Sequence, residues 1–158
     1  MLYLLFRLGG DRYALAAQQL AEVLPALNLK QLPGAAPGVA GLCNYRGRPV
    51  PVIDLSALAT RLPAPRRWGT RLLMVHYSTA TAGAATPRLL GLLAENATEL
   101  MRLDASAFVD GGVRNEGAPY LGPVASTDLG LVQRVELQAL LPVPLREQLF
   151  AAAEEALP

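Results

Sequence analysis

The sequence predicts a mainly β protein, built from two small strand lobes of similar design with short helices and a helix at the C-terminal end. Three observations lead there. Apolar runs are short and bounded by Gly, Pro, Asn and Asp, the mark of strands joined by tight turns. The two halves echo each other. Aligning Tyr13-Ala14-Leu15-Ala16-Ala17 with Leu90-Gly91-Leu92-Leu93-Ala94 brings Glu22-Val23-Leu24 onto Glu99-Leu100-Met101, and Val52-Ile53-Asp54-Leu55-Ser56-Ala57-Leu58 resembles Arg134-Val135-Glu136-Leu137-Gln138-Ala139-Leu140. Finally, the last stretch changes period, with Val143, Leu145, Leu149, Phe150, Ala153 and Leu157 at near-helical spacing. With 158 residues, 52% of them apolar, the chain suits one compact unit made of two lobes sharing a core, at about residues 12–68 and 70–142. Small barrels limit exposed strand edges, and a cleft between two lobes is a natural docking site.

In chain order, residues 3–8 and 12–16 form a hairpin around Gly9-Gly10-Asp11. Residues 17–24 are good helix formers but span only about two turns before Pro25, which predicts a short helix or helical turn. Residues 39–45 and 48–53 flank Gly47 as strands; Pro49 and Pro51 lack ladder donors and call for an edge or a bulge. Asp54 is an N-cap for one turn at residues 55–58. Residues 61–70, with two prolines and three arginines, form a connector. Residues 71–77 and 88–94 are strands joined by a low-complexity hairpin tip, and further strands are expected at 99–103, 120–124 and 131–135. The closing helix is amphipathic, docked on the body.

Composition narrows the function. Fourteen basic and 13 acidic residues give a net charge of +1 with no basic stripe, which argues against nucleic acid as a partner. No stretch reaches the ~18 consecutive apolar residues of a membrane span, and residues 1–8 lack the basic flank and cleavage site of a signal peptide, so a cytoplasmic protein without membrane insertion is expected. The single cysteine, Cys43, allows no intrachain disulfide. Asn96-Ala97-Thr98 matches a glycosylation pattern and is read as accidental. Lys30 is the only lysine, so a Gly-Lys-Ser/Thr phosphate loop is absent. One His76 and one Cys43 cannot supply the three or four ligands of a nitrogen–sulfur metal site, and no cofactor is called for. As nucleophile and base the same pair would need mutual reach and an orienting group. Cys43 reads instead as a packed side chain and His76 as structural or solvent-facing. Catalytic residues: none.

The unusual constellation is Gly41-Leu42-Cys43-Asn44-Tyr45-Arg46-Gly47-Arg48-Pro49-Val50-Pro51-Val52-Ile53-Asp54-Leu55. Asn-Tyr-Arg-Gly presents a planar five-donor guanidinium at a turn whose glycine permits backbone geometry closed to other residues. This stretch is similar to the Asn-Leu/Tyr-Arg-Gly and Pro-Val/Ile-Val/Ile-Asp-Leu signature of the CheW family. Phe6-Arg7-Leu8-Gly9-Gly10-Asp11-Arg12-Tyr13 resembles that family's opening hairpin, Leu20-Ala21-Glu22-Val23-Leu24 its segment ending in Glu-Val/Ile, and Leu90-Gly91-Leu92-Leu93 its second-lobe hairpin. The match runs from Tyr3 to about Pro142. Departures are Ala94-Glu95-Asn96, where the family often carries valine and aspartate, and a loop of its own at residues 111–117. Ala118-Pro119-Tyr120-Leu121-Gly122-Pro123-Val124 looks like members serving accessory chemosensory systems.

The resemblance implies two five-stranded SH3-like β-barrels around a shared core. It also implies a non-enzymatic adaptor that couples the cytoplasmic tip of a methyl-accepting chemoreceptor to the regulatory domain of a CheA-type histidine kinase, in chemoreceptor arrays. Its partner-binding residues would be Arg46, Glu22, Gly47 and Gly41, with Leu20, Leu72 and Leu100 at apolar positions near the family's receptor groove. Arg46 has a structural alternative, an internal ion pair with Glu22, which does not exclude docking. Tyr45 is expected to be half-buried, and Trp68 to pack over the neighbouring barrel rather than act as an interface anchor.

Overall fold

A computed structural model describes residues 1–26, 28–65, 68–81, 84–110 and 118–155, with backbone alone at 78–81 and 84–87. Among the described residues ten strands and two α-helices follow in the order β1 Leu2–Leu8, β2 Asp11–Ala16, β3 Leu20–Pro25, β4 Val39–Tyr45, β5 Arg48–Asp54, α1 Leu55–Thr60, β6 Arg71–Thr81, β7 Ala84–Arg102, β8 Phe108–Val109, β9 Leu121–Thr127, β10 Gly130–Val135 and α2 Val143–Glu155. The mainly β class holds. The ladders run β3-β6-β7-β1-β2-β10-β9-β8, with β5 joining β4 to β7. No ladder among the described residues closes either group of strands into a ring, so the closed barrels expected from the family resemblance are open at the level of backbone pairing. In one group the gap is partly spanned where Lys30 bridges Leu42, exchanging two 2.8 Å backbone hydrogen bonds.

The pairings cross the expected division near residue 69. β2 takes β10 as a parallel neighbour, β3 pairs with β6, and β5 lies parallel to β7. The echo between the halves is therefore topological. Each parallel pairing precedes one helical turn, α1 after β5 and a 3₁₀ turn at Leu137–Ala139 after β10. Asp54 caps α1 as expected, its Oδ1 accepting from the Ala57 N–H at 3.1 Å.

β7 belongs to both strand groups. Residues 88–94 pair with β6, while Leu100 and Met101 pair with Leu4 and Tyr3 of β1. The switch falls at Asn96, whose φ of 48° is left-handed. Asparagine tolerates that conformation better than most residues, and the Ala97 N–H is taken by the Gly69 carbonyl at 3.0 Å. The Asn-Ala-Thr pattern thus has a structural use, as the bend between sheets.

Burial on both faces of the central strands creates three cores. A shared core gathers Leu4, Phe6 and Leu15 with Ile53, Leu73, Val75, Tyr77, Leu90 and Leu92. Alternate residues turn into separate interiors: Tyr3 and Leu5 join Phe108 and Val132 on one side, Leu72 and Met74 join Cys43 and Val50 on the other. α2 closes the shared core with Leu149 and Phe150, both buried, and Phe150 lies 6.2 Å from the Tyr77 ring.

Several expectations are corrected. Of the short helix or helical turn expected at residues 17–24, only a 3₁₀ turn at Ala17–Gln19 forms and β3 follows it, because pairing with β6 outweighs the propensity of a segment too short to hold helix alone. Residues 99–102 are the end of β7 rather than a separate strand, with Leu103 just beyond it, and β8 was unforeseen. Trp68 is 95% exposed and does not pack over a barrel. Val143 starts α2 on its exposed side. Leu157, the loop at 111–117 and the tip at 82–83 lie outside the described residues. No helix of the described chain is long and apolar enough to cross a membrane.

Candidate functional site

β4 and β5 are joined by the two-residue turn Arg46-Gly47, with φ of 51° and 82°. Two successive positive values are the type I′ geometry, whose twist matches the flanking strands and which favours Asn-Gly. Gly47 fills its place without strain, whereas Arg46 occupies a conformation that costs a side-chain-bearing residue about 1–2 kcal/mol. Asn44 closes the turn, its Oδ1 accepting the Gly47 N–H at 3.1 Å.

β3 brings Glu22 to this hairpin. Tyr45 donates its phenolic hydrogen to Glu22 Oε2 at 2.5 Å, and Arg46 Nη2 reaches the same oxygen at 3.4 Å. The Arg46 guanidinium also lies 5.1 Å from the Tyr45 ring centroid. The expected ion pair exists, but Tyr45 is the closer partner. A hydrogen bond from the neutral phenol to the carboxylate pushes the Tyr45 pKa above its ordinary value, burial and the Glu22 charge add to this, and Arg46 opposes it. With 76% of its side chain exposed, Arg46 presents most of its donor fork outward.

The other anticipated positions fall differently. Gly47 belongs to the hairpin, and Leu20 is half-buried on β3, packed against the shared core. Leu72 is fully buried inside the β4–β6 group, so no partner touches it; β6 is buried on both faces, which strand alternation alone could not reveal. Leu100 is 60% exposed, paired with Leu4 on the other strand group. Gly41 is buried at a bulge in β4, with φ 139°, and a Cβ there would sit 2.3 Å from the Lys30 carbonyl oxygen. Its requirement is conformational. Sequence reasoning missed the Tyr45–Glu22 bond; the half-buried aromatic expected at 45 was the available signal, since a partly buried hydroxyl seeks a partner.

Reactive chemistry is sparse. Cys43 is buried, which pushes its thiol pKa up, while His76 faces solvent on β6; the two are not assembled. Among the described residues no group of three or more His, Cys, Asp or Glu could hold a metal ion.

The CheW-like domain family matches residues 2–144. The chain belongs to the CheW-like domain family. A crystal structure of the scaffolding protein TtCheW from Thermoanaerobacter tengcongensis superposes with a TM-score of 0.75, covering 90% of this CheW-like chain and 88% of that one at 20% identity. At that identity the likeness carries the fold. Protein PilI of Pseudomonas aeruginosa is 32% identical over 87 residues, which span 55% of this chain and 49% of that relative. The CheW-like chain thus aligns with about half the length of the curated relative it matches. The family is one of non-enzymatic adaptor scaffolds.

Proposed function

We propose that this CheW-like adaptor couples the cytoplasmic tip of a methyl-accepting chemoreceptor to the regulatory domain of a CheA-type histidine kinase in the cytoplasm, using the Glu22–Tyr45–Arg46–Gly47 hairpin as one docking face. Leu20 on β3 and the exposed Leu100 on β7 are further contacts in this reading. The observation that carries it is Arg46. A residue held in a left-handed turn that favours Asn, 76% exposed and held only by a 3.4 Å ion pair and the neighbouring Tyr45 ring, is poorly explained by stability alone. Its planar fork suits a partner's carboxylate or carbonyl groups.

The test is a reconstitution of receptor fragment, kinase and adaptor, read by receptor binding and kinase activity. Arg46→Ala should lower coupling about tenfold or more, as expected for losing a charged hydrogen-bonding partner at an interface. Its melting temperature should hardly move, because an exposed ion pair is worth only ~0–1 kcal/mol. Arg46→Lys should restore part of the coupling. Normal coupling by a folded Arg46→Ala protein would remove Arg46 from the site, and receptor binding without kinase activation by the wild type would make the chain a decoy.

A second reading keeps the adaptor role but changes the output to an accessory pathway controlling pilus motility or second-messenger synthesis. The Ala118-Pro119-Tyr120-Leu121-Gly122-Pro123-Val124 stretch and the likeness to Protein PilI support it.

A further inference from the structure

Pro49 and Pro51 shape a second surface. In the β4–β5 ladder they sit opposite Asn44 and Leu42. They share the orientation of Ile53, so the backbone positions lacking an N–H are those turned toward β7. The parallel ladder between β5 and β7 accordingly begins only at Val52 and Gly91. Before that point the strands part, and α2 lies across the gap.

The result is an open groove of about 750 Å³, with Pro49, Pro51, Leu89, Phe150 and Ala153 among its lining. Arg48, His76, Arg88 and Glu154 also line it. Arg88 pairs with Glu154 at 2.6 Å and lies 5.7 Å from the Phe150 ring centroid. Arg48 and His76 make no side-chain hydrogen bond or ion pair among the described residues. The groove thus joins an apolar floor to basic groups in excess of its single acid. On α2 itself, Glu154 follows Phe150 and Ala153, so a carboxylate beside apolar side chains already engages one of the arginines.

We propose that this groove docks an acidic segment of a partner protein, a short peptide that seats an apolar side chain against the prolines, Phe150 and Ala153 and sets a carboxylate on Arg48. Glu154 competes for Arg88 and limits the affinity. Three basic residues, one of them neutralised, around an apolar floor are too few and too local to track a phosphate backbone. The proposal stands whether or not the coupling reading of the Arg46 hairpin holds.

The experiment pans a phage-displayed library of random dodecapeptides against the full chain, then measures one selected peptide, fluorescently labelled, by anisotropy. Selected peptides should carry Asp or Glu within a few residues of Leu, Ile or Phe. Arg48→Glu should weaken binding about tenfold or more, and Glu154→Gln should tighten it several-fold by releasing Arg88. Thermal melts confirm that both variants, changed at partly exposed positions, remain folded. Selection without acidic bias, or an affinity that neither substitution changes, overturns the proposal. So does binding to phosphatidylglycerol vesicles with no peptide selected, which would make the groove a lipid site.

Discussion

Replacing Gly41 with alanine separates a conformational requirement from a contact with a partner. The new Cβ would stand 2.3 Å from the Lys30 carbonyl oxygen and 3.2 Å from its carbon, both backbone atoms that cannot rotate away. Relief requires the segment around Lys30 to leave β4, giving up the two Lys30–Leu42 bonds, both at 2.8 Å. Each backbone hydrogen bond is worth about 0.5–1.5 kcal/mol net. Holding a side-chain-bearing residue at φ 139° adds about 1–3 kcal/mol. The expected loss is roughly 2–6 kcal/mol, which in a domain of this size lowers the melting temperature by roughly 5–20 °C. Urea unfolding followed by circular dichroism measures it, and the proposed kinase coupling, measured on the same preparations, should fall only as the folded fraction falls. A variant that unfolds at the wild-type urea concentration and yet fails to couple would make Gly41 a contact residue after all.

Other perturbations probe the helix, the thiol and the phenol. Phe150→Ala should cost about 3 kcal/mol in urea unfolding, the lower end for a buried phenylalanine because the groove beside it is already open; an unchanged midpoint would mean that α2 is not docked. Cys43, buried and with its thiol pKa raised by burial, should react slowly with a disulfide reagent in the native protein and quickly in urea; rapid native modification would contradict its packing. Tyr45 has a raised pKa, so the neutral phenol and its bond to Glu22 are fully present below about pH 10 and are lost as pH rises through the higher folded value. Subtracting the tyrosinate absorbance titration of Tyr45→Phe from that of the wild type isolates this group from Tyr13 and Tyr120, whose values burial also raises. A difference curve centred at or below the ordinary tyrosine value would show that the bond to Glu22 is absent.

Local chemistry was legible where it decides structure locally. Asn44-Tyr45-Arg46-Gly47 announces its turn and Asp54 its cap, whereas the meeting of Glu22 with Arg46 was expected only from the family resemblance. The groove prolines were legible as breaks in pairing, although β5 proved to be an inner strand with one unpaired stretch of edge. What escaped depends on partners distant in the chain. β3 has helix-forming residues and becomes a strand only because β6 is beside it. Leu72 and Leu100 look alike in sequence, yet one faces an interior closed by Cys43 and Met74 while the other faces solvent. The role of Gly41 depends on Lys30, eleven positions away through a segment without regular structure.

The strand exchange has a consequence for how the chain folds. Because β3 pairs with β6, and the far half of β7 pairs with β1, each strand group is completed by residues from the other half of the sequence. The halves resemble products of duplication, but neither can form its full set of ladders by itself. Folding must wait for contacts between residues far apart in the chain, which slows it and couples both lobes into one cooperative transition. A chain cut between Pro65 and Thr70 would give two fragments with unpaired strand edges, recovering native structure only by finding each other. Loosening one lobe, by mutation or by a partner pulling on β3, would be felt in the other.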